Sequence, residues 1–405
     1  MEKLRVGLLF GGRSVEHDVS ILSATSILGA LDRTRYDVSL VGVDALGGWH
    51  LIDADALEAA APGGGGDEGG RPGQASGARL AEVLHGPDVF LPVTSGPTSL
   101  RPSTEKPLAF ATASATGPER LDVVFPIIHG RGGEDGALQG LLESADVPYV
   151  GSGVLSSALQ MDKDFAKRLL AQAGLPVTPW VTFSGSDLDR NGLPASAEQA
   201  ETEIGFPAYV KPANSGSSIG IARVENTAEL IAAIADARRY DRKVLVEASI
   251  DARELEVAVL GNDEPQASVV GEIRATQAFY DYDAKYRDDA TELIIPAELS
   301  TDLSDTIRAS AIEAYRALGA EGMARVDFLL ERETNRFYVN ELNSLPGFTN
   351  VSMYPKLWEA TDLPYPKLLD RLIELALERH DHQSKLETHA PPPLRSGSDA
   401  DAEQT

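Results

Sequence analysis

Arg325-Val-Asp327 and Glu341-Leu-Asn343 are two short segments late in the chain, each inside or at the end of a predicted β-strand. Side chains two residues apart in a strand point to the same face, so neighbouring strands would bring these polar groups together. Three oxygen ligands without a complete cage suit Mg²⁺ when phosphate oxygens fill its remaining positions. The alternative interpretation is a salt-bridged strand pair in which Arg325 neutralises the acids.

A second group of candidates lies earlier in the chain and is cationic. Lys211 lies in an apolar strand-like run, where an inward lysine needs an anionic partner, and Lys163 lies in a predicted helix over 156–173. Residues 214–220 follow Lys211 as the tip of a predicted hairpin, and their Ser and Gly residues can cover phosphates. A flexible turn is the more frequent alternative for such a tip, and a solvated surface residue is the alternative for Lys163. Combined with the Mg²⁺ hypothesis, these residues indicate ATP-dependent activation of a small molecule.

Three glutamates follow in the next part of the chain. Glu247 ends an apolar strand, and Glu254 and Glu256 lie shortly after it. The alternative to a binding role is an exposed acidic edge that defends the sheet against pairing. Residues 280–290 mix aromatic, acidic and basic side chains outside any periodic pattern, which favours a mobile functional loop.

The first part of the chain alternates strands, glycine turns and helices. Val6–Phe10 ends at Gly11-Gly12 and is followed by Glu16, while His129-Gly-Arg-Gly-Gly-Glu-Asp-Gly136 follows a second buried strand. This order predicts an α/β domain with a largely parallel sheet. A carboxylate near the carboxyl edge of such a sheet is suited to holding a ligand ammonium. The alternatives are a tight turn in which Glu16 completes a helix cap, and a plain strand-exit loop.

The composition excludes several function classes. The chain has 405 residues, 42% of them hydrophobic, and a formal net charge of −26, which disfavours nucleic acid and anionic membranes as partners. It contains no Cys, so disulfides, thiolate catalysis and Cys-ligated metals are excluded. No apolar run approaches the roughly 20 residues that span a bilayer. We therefore expect a cytoplasmic enzyme or binding protein.

Taken together, these motifs resemble the D-alanine–D-alanine ligase family, a branch of the ATP-grasp fold. The resemblance runs from Gly11-Gly12-x-Ser-x-Glu16-His to the segment after Gly347, and it rests on the two signatures that contain His129 and Arg325. It implies an N-terminal parallel-sheet α/β domain followed by a two-part ATP-grasp fold.

We predict a multidomain protein of mixed α/β and α+β class. The expected bounds are an N-terminal substrate domain at 1–158, a central ATP-grasp subdomain at 159–248, a C-terminal catalytic subdomain at 249–383 and a disordered tail at 384–405. The glycine-rich stretch at about 59–77 is predicted to be a flexible insertion in the first domain.

The resemblance also implies roles in ATP binding. Lys163 and Lys211 would contact the phosphates beneath Ser217 and Ser218 of the 214–220 flap, and Lys285 would reach the γ-phosphate. Glu247 would lie on the adenine side and Glu254 at the ribose hydroxyls. Two Mg²⁺ ions, or Mn²⁺ in their place, would be held by a set of three residues: Asp327, Glu341 and Asn343.

The remaining implied roles concern the two D-alanine molecules. Glu16 would hold the first ammonium with His129 nearby, and Ser352 would receive the second carboxylate. Arg325 and the Gly347 N–H would stabilise the tetrahedral oxyanion, and a lock between the domains would consist of Tyr286, Ser217 and Glu16. The expected reaction forms D-alanyl-D-alanine through an acyl phosphate, for peptidoglycan precursor synthesis, and the family's habit predicts a homodimer.

Three other functions compete with this interpretation. The nearest is a D-alanine–D-lactate or D-alanine–D-serine ligase of the same fold. Tyr286 favours the dipeptide because relatives that join D-lactate carry other residues in this loop. A non-catalytic sensor would bind ATP and release no phosphate. A nicotinamide oxidoreductase is the most distant alternative, since the chain lacks the GxGxxG fingerprint after its first strand.

Overall fold

The computed structural model describes residues 2–55, 57, 89–90, 109–112, 119–216, 219–274, 292–349 and 351–387. Several predictions fall outside these residues: the insertion at 59–77, Ser217, Ser218, Lys285, Tyr286 and the tail from residue 388 onward. Ser384 is the last residue of a helix, so the first residues assigned to the tail are described and ordered within or directly after that helix.

A parallel sheet lies in the first part of the chain. Its strands run in the order β3-β2-β1-β7, where β1 (Leu4–Gly11) pairs in parallel with both β2 (Tyr36–Val43) and β7 (Val123–Pro126). The edge strand β3 (Trp49–Ile52) is antiparallel to β2. Helix α1 (His17–Ala30) follows β1, and its buried residues pack against the apolar side chains of that strand. This confirms the predicted α/β opening.

The other elements of this part are short. Three strands form a small antiparallel sheet in the order β4-β5-β6: β4 (Val89–Phe90), β5 (Ala109–Thr112) and β6 (Glu119–Arg120). Three helices follow β7: α2 (Ala137–Ser144), α3 (Val154–Met161) and α4 (Lys163–Gln172).

A second, antiparallel sheet is built from the middle of the chain. Its strand order is β10-β9-β11-β8, for β8 (Trp180–Ser184), β9 (Ala208–Pro212), β10 (Ala222–Val224) and β11 (Lys243–Ala248). The predicted hairpin is confirmed, since Ala222 pairs with Val210 and Val224 with Ala208. The sheet is covered by helices α5 (Gly185–Asn191), α6 (Leu193–Glu203) and α7 (Thr227–Ala237). Asn226 caps α7 as predicted, by accepting a hydrogen bond from the Glu229 N–H.

The third sheet is antiparallel and carries the segments quoted first. Its order is β14-β13-β12-β15-β16, for β12 (Ala252–Gly261), β13 (Gln266–Arg274), β14 (Glu292–Ile294), β15 (Gly322–Glu331) and β16 (Phe337–Asn343). Helix α8 (Thr301–Ala317) packs on one face, and α9 (Met353–Glu359) and α10 (Tyr365–Ser384) follow β16. In β15, Val326, Phe328 and Leu330 are buried while Arg325 and Asp327 are partly open, which is the alternation expected of a strand with one core face.

The prediction of one helix over 156–173 is wrong. Asp162 has extended backbone dihedrals between α3 and α4, and its carboxylate accepts hydrogen bonds from the Asp164 and Phe165 N–H groups. An aspartate at this position satisfies the free donors of a new helix, so it starts α4 rather than continuing α3. Lys163 consequently lies at the first position of α4.

One hydrophobic cluster joins the two ends of the chain. Val6, Leu8 and Phe10 of β1 share it with Leu368 and Leu372 of α10. Tyr36, the first residue of β2, and Arg35, which precedes it, also bind the Asp370 carboxylate of the same helix. Helix α10 is therefore part of the support of the first sheet.

Candidate active site

The carboxylates of the quoted segments lie side by side on the third sheet. Asp327 of β15 is the register partner of Glu341 of β16, and Arg325 is the partner of Asn343. The Asn343 Nδ2 donates to Asp327 Oδ2 at 3.0 Å. The predicted grouping of these four residues is therefore confirmed by the strand register.

Arg325 also makes the ion pair that the alternative interpretation requires. Its Nε and Nη2 donate to the two Asp327 oxygens, each at 2.7 Å. Glu341 is paired with a lysine, because Lys163 Nζ lies 3.1 Å from Glu341 Oε2. Each of these two carboxylates thus faces a cation, which offsets the repulsion between adjacent negative charges.

The donor set fits a magnesium ion that is completed by phosphate oxygens. Within the described ranges, no group of three or more His, Cys, Asp or Glu residues is arranged to hold a metal by itself. Two carboxylates and one amide on a partly open sheet face are an incomplete hard-oxygen set. Mg²⁺ is commonly bound in this way, through one or two carboxylates together with waters and phosphates.

Lys163 is held at the junction between the middle of the chain and this sheet. Its backbone N–H donates to the Ala213 carbonyl at 3.0 Å, and its Nζ donates to the Ser215 carbonyl at 2.9 Å. The Asp162 cap and the residues that follow β9 therefore fix this lysine from two sides. The Lys163 ammonium points toward the third sheet, where it forms an ion pair with the Glu341 carboxylate.

Lys211 and Glu247 form a buried pair beside Lys163. The Lys211 Nζ donates to Glu247 Oε2 at 2.9 Å, and the Glu247 side chain is only 3% exposed. Burial would raise the pKa of Glu247, but Lys167 and Lys211 outweigh it and hold that pKa below its usual value. The exposed acidic edge that was the alternative for Glu247 is wrong, whereas Glu254 is exposed on β12.

Sequence reasoning missed Lys167. Its Nζ donates to Thr178 Oγ1 at 2.6 Å and lies 3.5 Å from Glu247 Oε1, so Glu247 is held between two lysines. Burial lowers the pKa of Lys167 against the attraction of Glu247. The available signal was the spacing of four from Lys163, which places both lysines on one side of a helix.

The loop after β7 is tied to the loop after β16. The His129 ring Nδ1 is 2.9 Å from the Leu345 carbonyl, and Glu134 accepts hydrogen bonds from the Gly130 and Leu345 N–H groups at 2.7 and 3.0 Å. Burial lowers the pKa of His129, although Glu16 opposes the shift. Burial and the nearby Glu16 raise the pKa of Glu134 to about 7. Glu134, which was not assigned a role, therefore joins the first part of the chain to the third sheet.

Glu16 lies between two glycine segments. A Cβ added at Gly130 would lie 2.8 Å from Glu16 Oε2, and one added at Gly216 would lie 3.0 Å from it. Among the described residues, the Glu16 side chain caps no N–H of α1 although it occupies the N-cap position. The capping alternative is therefore wrong. The buried Glu16 carboxylate lies between the loop after β7 and the residues that follow β9.

Gly347 and Ser352 lie together at the end of this loop. A Cβ added at Gly347 would approach the Ser352 Oγ to 2.7 Å. That hydroxyl accepts a hydrogen bond from the Thr349 N–H at 3.0 Å, and Ser352 is the residue that precedes α9. Glu16 and Arg325 both act electrostatically on His129, and the bond between His129 and Leu345 ties this group to the loop that leads to Gly347 and Ser352.

The fold and the site define a multidomain enzyme of the ATP-grasp type, in which Lys163 at the start of α4 faces the Glu341 carboxylate of the third sheet. Two family models match the chain: the D-ala D-ala ligase N-terminus over residues 5–152 and the D-ala D-ala ligase C-terminus over residues 169–374. The chain belongs to the D-alanine–D-alanine ligase family.

Curated relatives match almost the whole chain. It is 46% identical over 389 residues to D-alanine–D-alanine ligase A of Salmonella typhimurium, covering 96% of this chain and 100% of the relative. It is 45% identical over 392 residues to the Escherichia coli enzyme of the same name, again covering 96% and 100%.

Solved structures agree with this assignment. The D-alanine–D-alanine ligase of Coxiella burnetii is 36% identical with a TM-score of 0.78, covering 95% of this chain and 97% of that one. A D-Ala:D-Ser ligase of Enterococcus faecalis is 31% identical with a TM-score of 0.76, covering 93% and 100%. None of the helices in the described part of the chain is long and apolar enough to cross a membrane.

Proposed function

We propose that this protein joins two D-alanine molecules into D-alanyl-D-alanine with ATP and Mg²⁺, for peptidoglycan precursor synthesis. The observation that carries the proposal is the pairing of Asp327 with Glu341 in adjacent strands, with the Lys163 ammonium 3.1 Å from Glu341. Hard oxygen ligands and ammonium groups at one place suit a nucleotide triphosphate with its metal. The relatives' names supply the substrate, D-alanine.

Each charged group has a part in this proposal. Lys163 and Lys211 bind the ATP phosphates, Glu247 lies at the adenine and Glu254 at the ribose. Two Mg²⁺, or Mn²⁺, are held by Asp327, Glu341 and Asn343, and they would neutralise the charge that builds up on the transferred phosphoryl group. Lysines released from Glu247 and Glu341 toward phosphate add to that neutralisation.

The acceptor side depends on the loops after β7 and β16. Glu16 binds the ammonium of the first D-alanine beside His129, and Ser352 orients the carboxylate of the second. The γ-phosphoryl group of ATP passes to the first carboxylate, which gives an acyl phosphate and ADP. The second amine attacks the acyl carbon, loses a proton and displaces inorganic phosphate. Arg325 and the Gly347 N–H then stabilise the oxyanion, as preorganised donors do in a site shielded from water.

Several further features stay predictions. We propose that Ser217, Ser218, Lys285 and Tyr286 complete the phosphate flap and the loop over the site. The domain bounds 1–158, 159–248 and 249–383, a homodimer and a cytoplasmic location are proposed in the same way, from the family resemblance.

The direct test is release of inorganic phosphate from ATP and Mg²⁺ with D-alanine, compared with L-alanine. We expect phosphate release with D-alanine and none with L-alanine, and D-alanyl-D-alanine as the product. Equal release with both isomers, or none with either, would contradict the proposal. A sensor protein would bind ATP but release no inorganic phosphate when D-alanine is present.

The choice of second substrate is tested separately. With competing D-alanine, D-serine and D-lactate, we expect the dipeptide D-alanyl-D-alanine as the main product. Tyr286→Phe should raise the share of ester product because the loop loses a hydroxyl that favours the amine acceptor. Mass spectrometry of the products measures this share, and an unchanged ratio of amide to ester would contradict the role of Tyr286.

A further inference from the structure

A third carboxylate lies in line with Asp327 and Glu341. Glu256 of β12 is the register partner of Asp327, which in turn is the partner of Glu341. Residues opposite each other in adjacent strands point to the same face, so Glu256 belongs to the same row of side chains. Its side chain is 7% exposed, so the exposed acidic edge considered for it from the sequence is wrong.

Glu256 contacts Arg325. Its Oε2 lies 3.1 Å from Arg325 Nε, while the same Nε lies 2.7 Å from Asp327 Oδ1. The single hydrogen of the arginine Nε is donated to Asp327, so the contact of Glu256 Oε2 with Nε is an ion pair rather than a hydrogen bond. Arg325 therefore lies between Asp327 and Glu256, and its side chain is 17% exposed.

In the proposed function, Arg325 and Mg²⁺ compete for the Asp327 carboxylate. Both of its oxygens accept hydrogen bonds from Arg325, yet the same oxygens are proposed to bind Mg²⁺. When a divalent cation takes up Asp327, the guanidinium is left beside a second positive charge in a largely buried place. A buried charge that loses its compensation is costly.

The formal charges of the two halves of the proposed metal site differ, and the difference lies in Glu256. Glu341 faces Lys163, so that pair is formally neutral. Arg325 lies between Asp327 and Glu256, so these three side chains together carry a formal charge of −1. With a neutral residue at position 256, the Arg325–Asp327 pair would be neutral as well. Glu256 thus supplies negative charge that favours a divalent cation in this half of the site.

From this arrangement we propose that Glu256 is a positioning residue, which keeps Arg325 in place when Asp327 is transferred to the metal. Glu256 has two effects in this role. It lowers the competition between Arg325 and the metal for Asp327, and it keeps the guanidinium oriented toward the reacting carbonyl. The inference rests on the proposed function for its chemistry and on the strand register for its geometry.

Calorimetric titration of Mn²⁺ into the full-length enzyme with ADP present tests the first effect. We expect Glu256→Gln to weaken Mn²⁺ binding by about 10- to 100-fold, the range found when partners of metal ligands are removed. Glu256→Asp retains the charge and should recover part of the affinity. Asp370→Asn is the matched control, since Asp370 is a buried carboxylate paired with Arg35 at a different place in the fold.

A merely structural role would lower the melting temperature and leave the metal affinity of the folded variant unchanged. Mn²⁺ binding by folded Glu256→Gln within about twofold of the wild type would therefore overturn the proposal. If Glu256→Gln does not fold, Glu256→Asp decides the matter, because its shorter side chain must still weaken binding severalfold. The titration contains no D-alanine, so its outcome is independent of the acceptor assigned under the proposed function.

The second effect is measured as a split of kinetic constants. At saturating Mg²⁺, Glu256→Gln should still lower kcat with little change in the KM for ATP, since a displaced Arg325 affects the oxyanion and not the bound nucleotide. A loss that disappears at high Mg²⁺ would overturn this second effect.

Discussion

The candidate site has two halves, which are held by different kinds of structure. Arg325, Asp327, Glu341 and Asn343 lie on paired strands, so backbone hydrogen bonds of the third sheet fix their spacing. Glu16, His129 and Glu134 lie on glycine-rich turns, and the His129 and Glu134 side chains bind the backbone of Leu345 in another loop. Strand register places side chains by periodicity alone, whereas each loop contact depends on one particular partner.

The largest expected effect tests the strand-borne half. Glu341→Gln removes a proposed charged metal ligand and the partner of Lys163, so kcat should fall at least about 100-fold, beyond the loss seen for outer partners of metal ligands. Steady-state phosphate release at several Mg²⁺ concentrations measures this. Glu331→Gln, in the same strand pair and outside the row, should retain normal turnover. Full activity of Glu341→Gln at ordinary Mg²⁺ would show that the metal is misplaced.

A smaller effect tests the loop-borne half. Gly130 has φ +73°, so Gly130→Ala should cost about 1–2 kcal/mol for the left-handed backbone, and its Cβ would also press on Glu16 Oε2 at 2.8 Å. We expect a lower melting temperature and a raised KM for D-alanine. Gly132→Ala is the control, because Gly132 has φ +87° and no described atom within 4 Å of the added Cβ. Equal KM values for the two variants would remove the link between this loop and Glu16.

A third effect, smaller than the second, is expected on nucleotide binding at the junction between the two halves. Asp162→Ala removes the cap of α4 and should cost about 1 kcal/mol of unfolding free energy. Because Lys163 follows the cap directly, the KM for ATP should rise. Ser184→Ala, which removes the cap of α5, should lower stability similarly and leave that KM unchanged. A normal KM in Asp162→Ala would mean that Ser215 and Glu341 suffice to hold Lys163.

The smallest effect is a difference in pH dependence. The pKa of Glu134 is raised to about 7, so the folded state binds more protons than the unfolded state between its ordinary value and that pKa. The extra stability is complete below the unfolded pKa and is lost as pH rises through about 7. From pH 6 to 8 the wild type should lose on the order of 1 kcal/mol relative to Glu134→Gln. Denaturant unfolding at both pH values measures this, and parallel curves would contradict the raised pKa.

The sequence predicted the strand-borne half more completely than the loops. The i, i+2 spacing in Arg325-Val-Asp327 and Glu341-Leu-Asn343 predicted one shared face, and the register confirms it. The partner of Glu256 across β12 and β15 could not be predicted in this way, because spacing within a strand does not specify which residue lies opposite. Strand pairing decides this, through contacts distant in sequence.

The errors in the middle of the chain have a local cause. The apolar spacing over 156–173 is continuous, so it predicted one helix, while the single Asp162 that caps α4 is a side-chain effect that periodicity ignores. Lys167 was missed because a lysine is usually solvated, and only the packing of α4 on Thr178 and Glu247 buries it.

The packing of α10 on β1 has a consequence for how the chain matures. Leu368 and Leu372 complete the cluster around Val6 and Leu8, so during synthesis the first sheet lacks part of its apolar packing until α10 has left the ribosome. A nascent chain that stops before residue 365 would expose this apolar surface to water and to chaperones. We therefore expect the first sheet and α10 to reach their final packing together.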